Sequence, residues 1–582
     1  MQSRPEYGSD VIVDLLDELG IEFVACNPGA TFRGIHDSLV NYRAGVPEII
    51  ECTHEEISVA IAHGYAKAAG RPMAAAVHDV VGLQHATMAI YNAWCDRAPV
   101  LVLGGTGPVD AARRRPWIDW IHTANVQATQ VRDYTRWDDQ PASIEAVPES
   151  LVRAHQLATG SPPGPVYVCF DSDVQEQRLP DGFAYRPVAD YAAPGAVAPD
   201  PAAVEQLARW LLAAEAPVIA VETVDRSQAA LDALVEVAEQ VGAAVLEPSR
   251  DYGRPSLGFP SAHPLNATGL AGQLPAADVV VALEVSDLAA LHGFRPRPDA
   301  TIALVGTAQF GAKAWAADLQ RLQHCRLSLP ASSSATALAL RDAVRTLAER
   351  EPELAAAARD RGKRLAELTG AARERWAAFA AAQDGPGPVH PAWLARELLR
   401  ATAGTEPVIA NGSAYGYLHR LWDLRTVDSY LGSSGGAGLG YGIGAAIGAG
   451  LAHRDTGRLV VDIQSDGDFM MTPGALWTAA HHQVPMLVVM DNNRAFNNSV
   501  MHADRIARDR NRDPSKAGVG TAIDEPAIDF ADLARSMGVT AFGPCRTAAE
   551  LPELLDAAVA TVVEHRVPVL LDVLTKVPDA AG

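Results

Sequence analysis

The chain has 582 residues, 48% of them hydrophobic and 20% charged, which is ordinary globular composition and length for about three or four domains; a disordered chain and a small stapled scaffold are both excluded. Lys and Arg number 48 against 70 Asp and Glu, and the net charge of −22 repels nucleic-acid phosphates and anionic membranes; the one dense basic run, Arg113 to Arg115, is too short to reverse that. Six cysteines without a CxxC pair suggest neither a disulfide framework nor a thiolate zinc site, and fit a reducing cytoplasm.

The N-terminal segment MQSRPEYGSDVIVDLLDELG carries acids inside its apolar pattern and lacks a signal-peptide core, so export is not expected. From there to about residue 180 helical and strand-like periods alternate. A helix SDVIVDLLDELG, a strand IEFVAC, a turn NPGAT, a helix HEEISVAIAHGYAKAAG, a strand PMAAAVH, a further helix, and the strands PVLVLGG and GPVYVCFD follow one another. Short apolar runs bounded by Gly and Pro between helices predict a parallel sheet covered on both faces. Residues 179 to 201 are rich in Pro, Ala and Asp and read as a linker.

A second α/β unit spans about 202–345, with APVIAVE, GAAVLEPS, DVVVALEVS and TIALVG as strands. Residues 336 to 382 have helical spacing and mixed charge, the pattern of a solvated connecting arm. A third unit covers about 386–576, with strands PVIANG, RLVVDIQ, PMLVVMDNN and PVLLDVL. The expected architecture is α/β, three doubly wound parallel-sheet domains at 1–180, 202–345 and 386–576. The uncharged stretch from Tyr430 to His453 is long enough to span a bilayer, but it is dominated by Gly and Ala beside a polar segment and reads as a buried glycine-rich loop and helix.

The segment RLVVDIQSDGDFMMTPGALWTAAHHQVPMLVVMDNNRAF carries the most specific chemistry. A strand, the turn Ser465-Asp466-Gly467, a helix to about His482 and a second strand ending at Asn493 bring Asp466 and Asn493 to one crevice at the carboxyl ends of a parallel sheet. A carboxylate, an amide oxygen and a backbone carbonyl form an all-oxygen half-shell suited to magnesium carrying a diphosphate. Gly467 lets backbone N–H groups approach that diphosphate at a helix N-terminus.

Asp-Gly, the 27-residue step from Asp466 to Asn493 and the paired Asn resemble the thiamine diphosphate and magnesium motif of the enzymes that include acetohydroxyacid synthase, pyruvate decarboxylase and benzoylformate decarboxylase. The resemblance extends over nearly the whole chain and implies Asp466, Asn493 and the Ala495 carbonyl as metal ligands. Two positions depart from it: Ser465 replaces the usual Gly, and Asp468 follows Asp-Gly, where an extra carboxylate beside a diphosphate is expected to point away or be offset by the metal.

The resemblance implies a second site, where a Glu hydrogen-bonded to the cofactor's aminopyrimidine activates the thiazolium C2. ECTHEEISVAIAHGYAKAAGRP resembles that pyrimidine motif. Local spacing leaves Glu55 and Glu56 even, since either can serve as first-turn charge; the family's His-Glu pair selects Glu55. In the family this Glu comes from the partner subunit, implying a homodimer or homotetramer with active sites between subunits. GSSGGAGLGYGIGAAIGAG resembles the family's glycine-rich segment, with Leu439 as the wedge that bends the cofactor and Ala437, usually Gly, as a backbone contact to the pyrimidine. Asn411, Gly412 and Ser413 sit where relatives bind diphosphate. The same stretch also satisfies a loose dinucleotide pattern, Gly440-x-Gly442-x-x-Ala445, with Asp462 at a strand end, but no apolar strand leads into Gly440.

On the substrate side, His78 follows a strand with Gly82 four residues on, as in benzoylformate decarboxylase, where acetohydroxyacid synthases carry Gly-Pro-Gly. His78 is the candidate proton shuttle. NPGAT resembles the family's first βα turn facing the reacting carbon, and His122 falls where relatives place a Phe-Gln pair; Trp117 and Trp120 read as core or subunit contacts. Residues 494 to 500 reshape the pocket. Phe496 is an aromatic wall, and Arg494 either meets an anionic group or forms an exposed salt bridge. A flavin in the central domain is disfavoured, because no flavin fingerprint stands in 202–345.

The implied activity is a cytoplasmic, thiamine diphosphate- and magnesium-dependent decarboxylation of a 2-oxo acid through a C2 carbanion and an enamine. The alternatives are acetolactate synthase-like carboligation or acyloin cleavage, and more remotely a nicotinamide oxidoreductase or a non-catalytic assembly partner. No nucleic acid or membrane is expected as a partner.

Overall fold

The computed structural model describes residues 4–116, 118–248, 256–291, 293–307 and 323–577, in two compact bodies. The first body contains residues up to Pro194 and from Ser434 onward, and the second Gly195–Pro386 and His390–Ser433.

In the first body, β1 (Phe23–Cys26), β2 (Glu48–Glu51), β3 (Met73–Val77), β4 (Val100–Thr106), β5 (Asp138–Asp139) and β6 (Val166–Asp171) form a sheet of order β2-β1-β3-β4-β6-β5, parallel throughout. Every residue of β3, β4 and β6 is buried, which is why they read as continuous apolar runs rather than as alternating ones. The helix Gly8–Glu18 buries Val11, Ile12, Leu15 and Leu16, a helical stripe, against this sheet's core.

The second body has its own parallel sheet, built from β7 (Pro217–Val221), β8 (Ala244–Leu246), β9 (Ala277–Leu283), β10 (Pro296–Val305) and β11 (Leu327–Leu329) in the order β11-β10-β9-β7-β8. The expected helical arm is two helices, Ser333–Arg350 and Pro352–Ala381, parted at Glu351-Pro352. They are not merely solvated: Leu340, Val344 and Ala358 belong to this body's core. The strand β12 (Pro407–Asn411) also lies in the second body.

The first body continues with β13 (Leu459–Ser465), β14 (Met486–Asn492), β15 (Thr540–Cys545) and β16 (Pro568–Leu574), parallel in the order β13-β14-β16-β15. Asp462 lies inside β13, fully buried, and not at a strand end, which removes the acid that a dinucleotide reading requires. The helix after Asp466 is also shorter than expected. It runs over Asp466–Phe469 and resumes as Ala475–His481, with Pro473 between.

The seam between the first body's two sheets is a pair of helices, Glu55–Ala69 and Gly442–Ala452. A Cβ at Gly64 would stand 2.2 Å from the Ala445 carbonyl oxygen, and one at Gly448 would stand 2.0 Å from that of Ile61. Glycine there lets the backbones touch. The Gly- and Ala-rich stretch is thus an 11-residue packing helix, and among the described residues no helix is long and apolar enough to cross a membrane.

Candidate active site

Residues at the carboxyl ends of β13 and β14 form the first part of the site. Ser465 pairs with Asp491, so the turns that follow are neighbours. Asp466 is 1% exposed; its Oδ1 accepts the Gly467 N–H at 2.8 Å, and its Oδ2 has no hydrogen-bond partner. Burial pushes this carboxyl up to about 7, with the backbone N–H groups of Gly467, Arg494 and Ala495 pulling it back down. Asn493 Oδ1 accepts the Ala495 N–H at 3.0 Å, so the Asn493–Ala495 turn is closed on itself beside Asp466. A buried carboxylate oxygen without a partner, an amide oxygen and a backbone carbonyl fit a hard divalent cation. A Cβ at Gly467 would lie 2.7 Å from the Phe496 ring, so only glycine admits that ring.

Asp468 faces the glycine-rich segment. It accepts the N–H groups of Gly440 at 2.8 Å and Gly442 at 3.3 Å, together with the Gln464 amide, and burial holds its carboxyl above the usual range. Gly438 exchanges two hydrogen bonds with Asn92, at 3.1 and 3.2 Å, which anchors the segment carrying Ala437 and Leu439 to the helix Asp79–Cys95. Leu439 is half-buried and Ala437 exposed. In the second body, Asn411 ends β12 and is buried, Gly412 has φ +76, and Ser413 Oγ accepts the Gly416 N–H at 3.1 Å.

The first sheet carries the other part. His54 caps the helix Glu55–Ala69 by accepting the Glu56 N–H. Glu55 and Glu56, indistinguishable by spacing, point to different places. A Cβ at Gly82 would meet Glu55 Oε1 at 2.7 Å, whereas Glu56 stands against Gly440, and its carboxyl is pushed up to about 7 by burial and by Asp468. His78 follows β3 as the N-cap of the next helix and packs on the NPGAT turn, where a Cβ at Gly29 would lie 2.4 Å from it. Its Nδ1 is 2.9 Å from Thr31 Oγ1, and its ring meets the His122 ring edge-on at 5.2 Å between centroids. Burial and then His122 lower its basicity, against a smaller opposing effect of Glu55. The same turn borders a cavity of about 550 Å³ lined by Val24, Cys26, Pro28, Ile35 and Leu39 among others.

Two residues in this group escaped the motif reading. Asp79 is 2% exposed, has φ +43, and its carboxyl is pushed up to about 7 by burial and by Asp119, against Arg115 and Thr31. In sequence it is one more acid in a first helical turn. Thr31 stood inside NPGAT without a role. Arg494 is half-buried with φ +60, and its Nε has no partner, so it is not an exposed salt bridge. Trp120 is 76% exposed rather than core, and Trp117 lies outside the described residues.

Residues 7–130 match the family described as thiamine pyrophosphate enzyme, N-terminal TPP binding domain, and residues 410–573 the corresponding C-terminal TPP binding domain. The chain is 26% identical over 593 residues to the chloroplastic acetolactate synthase of Arabidopsis thaliana, covering 98% of this chain and 82% of the relative. It is 27% identical over 537 residues to benzoylformate decarboxylase of Pseudomonas aeruginosa, covering 90% and 91%. The thiamine diphosphate-dependent 4-hydroxybenzoylformate decarboxylase of Rhodococcus jostii RHA1 shares the fold with a TM-score of 0.75 at 20% identity, over 99% of this chain and 100% of that one. Benzoylformate decarboxylase of Polynucleobacter necessarius does so at the same TM-score and coverage and 18% identity. With both TPP-binding domains in place around these two groups of residues, the chain belongs to the thiamine diphosphate-dependent enzymes of the acetolactate synthase and benzoylformate decarboxylase type.

Proposed function

We propose that the protein is a non-oxidative decarboxylase of a 2-oxo acid that uses thiamine diphosphate and magnesium. The observation that carries this reading is the imidazole pair of His78 and His122 beside Glu55, a proton-handling group at the crevice of the first sheet. Bound thiamine diphosphate supplies the electron sink that lets a 2-oxo acid lose carbon dioxide.

Asp466, Asn493 and the Ala495 carbonyl would hold magnesium, and Gly467, whose own N–H is donated to Asp466, would leave room for the diphosphate. Leu439 would pack against the cofactor and the Ala437 carbonyl would accept a hydrogen bond from it; Asp468 acts by holding the N–H groups of Gly440 and Gly442. Glu55 holds and returns a proton on the pyrimidine ring. His78, kept neutral near pH 7 by burial, carries a proton to and from the reacting carbon with His122 behind it. Arg494 orients the substrate carboxylate.

The working protein is a homodimer or homotetramer in the cytoplasm, with Glu55 of one copy serving the magnesium group of the next, and its domains are 1–180, 202–345 and 386–576. The helix Asn497–Asp509, which follows the magnesium turn and buries none of its residues, and the exposed Met471, Met501, Ile506 and Val519 support a covering second copy. The second reading, acetolactate synthase-like carboligation, is favoured by the 98% span of the synthase match.

The test is to incubate the loaded protein with benzoylformate and, separately, with pyruvate, following carbon dioxide and the organic product. Aldehyde from benzoylformate supports the decarboxylase, and acetolactate from pyruvate moves the reading to the synthase. Glu55→Gln is expected to lower turnover by about 10²–10⁴-fold while the cofactor stays bound. Full turnover in that variant overturns the mechanism.

A further inference from the structure

We propose that His78, Asp79 and His122 form a second metal site, which takes a tetrahedral divalent ion of zinc type and is separate from the magnesium group at Asp466. One ligand atom from each of the three residues lies within 4.8 Å of the others. The spacing matches what a tetrahedral ion demands. With Zn–N about 2.0–2.1 Å, two imidazoles on one tetrahedral ion have ring centroids about 5.2 Å apart, against about 4.5 Å for adjacent positions of an octahedral ion. The rings of His78 and His122 are 5.2 Å apart. The same geometry puts neighbouring ligand atoms about 3.4 Å from each other, and His78 Nδ1 is 3.6 Å from Asp79 Oδ2.

The polar atoms of the cluster lack the partners that burial demands. Asp79 Oδ1 and His122 Nδ1 are buried without a hydrogen bond. No guanidinium makes a direct contact with the carboxylate, since Arg115 is held by Asp119 at 3.0 Å, and the neighbour of Asp79 is the His78 imidazole, neutral near pH 7, at 3.6 Å. Asp79 also occupies φ +43, a left-handed conformation that a non-glycine residue keeps only where its surroundings hold it, and here it turns the carboxylate toward the two imidazoles. Thr31 Oγ1, 2.9 Å from His78 Nδ1, yields that nitrogen to the ion and stays beside the Asp79 carboxylate, where an outer partner orients a ligand. Two imidazoles and one carboxylate suit zinc rather than magnesium, and they leave a fourth position open.

An ion held there occupies nitrogen lone pairs that would otherwise carry protons, so the bound state is a blocked one. The binding itself does not rest on the decarboxylase reading, because metal content is measured without substrate. Purified protein carrying thiamine diphosphate and magnesium is equilibrated with zinc, passed through a desalting column and assayed for metal. The expected result is about one zinc per chain, with no loss of magnesium. Asp79→Asn and His122→Ala are each expected to weaken zinc binding at least tenfold with an unchanged circular dichroism spectrum, while Asp466→Asn keeps the zinc. Cobalt(II) in place of zinc should give the intense visible bands of a tetrahedral site in the parent and lose them in His122→Ala. Zinc retained equally by the parent and both variants, no zinc retained at all, or an octahedral cobalt spectrum overturns the proposal.

Discussion

Two strand-to-helix turns in the first body each open a helix on a buried aspartate and are furnished differently. After β3 the chain turns through His78 into a helix beginning at Asp79, and after β13 it turns through Ser465 into a helix beginning at Asp466. Both aspartates are almost fully buried, both carboxyls are pushed up to about 7 chiefly by burial, and each keeps one oxygen without a hydrogen bond. The neighbours differ. Asp79 meets imidazoles and a threonine hydroxyl, whereas Asp466 meets backbone N–H groups and the Asn493–Ala495 turn. The first helical residue after a parallel strand therefore presents a buried carboxylate twice, with a left-handed backbone at Asp79 and not at Asp466, and the surrounding donor atoms set what each can bind.

Breaking the carboxylate on each side should separate these roles. Asp466→Ala removes the charged oxygen donor and is expected to lower retained magnesium and cofactor at least about tenfold, the range seen when a metal's supporting groups are lost; equilibrium dialysis checks it. Glu55→Gln belongs to the other side and should leave cofactor binding nearly intact while turnover falls. A smaller break is Gly82→Ala. Its Cβ would stand 2.7 Å from Glu55 Oε1, so the carboxylate must shift, and a displacement of that order is expected to lower kcat by about tenfold without unfolding the protein. A kcat equal to that of the parent would mean that Glu55 reaches its partner from another rotamer.

The comparison also explains what the residues alone could and could not reveal. Strands buried on both faces, such as β3 and β14, announce themselves as apolar runs. The strands that went unread, β2, β5, β11 and β15, are all sheet edges: Glu48–Glu51 is half-exposed and charged, Asp138–Asp139 is two acids, and Thr540–Cys545 contains Gly543-Pro544. Edges tolerate polar residues and proline, so the periodic signal fades there. In the site, Asp466 and Asn493 were legible because a βαβ unit converts a fixed separation along the chain into proximity. Asp79 was not, because its meaning comes from His122 and Thr31, 43 and 48 residues away in the chain, and from a backbone angle that no composition encodes. Asp468 was legible as an anomaly, and its reason, the N–H groups of Gly440 and Gly442, lies in another segment.

Glu56 and Asp468 extend the comparison to a carboxyl that neither binds a metal nor faces the imidazoles. The Glu56 carboxyl is pushed up to about 7 in the folded protein from an ordinary value of 4.5, first by burial and then by Asp468. Between those values the folded state holds a proton that the unfolded state has released, so stability falls as pH rises through this window and levels off above it. Glu56→Gln keeps the shape and removes the titration. The variant should gain stability relative to the parent as pH goes from about 5 to 8, read as a widening gap between thermal midpoints. A gap that stays constant with pH would mean that Glu56 is ionised throughout.

The smallest effect concerns the glycine-rich segment itself. Ala437 sits at φ +52, where an L-residue pays about 1–2 kcal/mol and glycine pays almost nothing. Its side chain is exposed, so removing the methyl group forfeits little packing. Against the relieved strain stands the larger backbone entropy that glycine loses on folding, about 0.5–1 kcal/mol. Ala437→Gly is therefore expected to be neutral or to stabilise by up to about 1 kcal/mol, raising the thermal midpoint by at most about 2–4 °C. Differential scanning calorimetry with and without thiamine diphosphate reads both the size of the change and its origin. An increase of the same size in both samples places the strain in the folded chain itself, held by the two hydrogen bonds between Gly438 and Asn92, whereas an increase seen only with the cofactor would mean that the left-handed turn is tightened by the ligand.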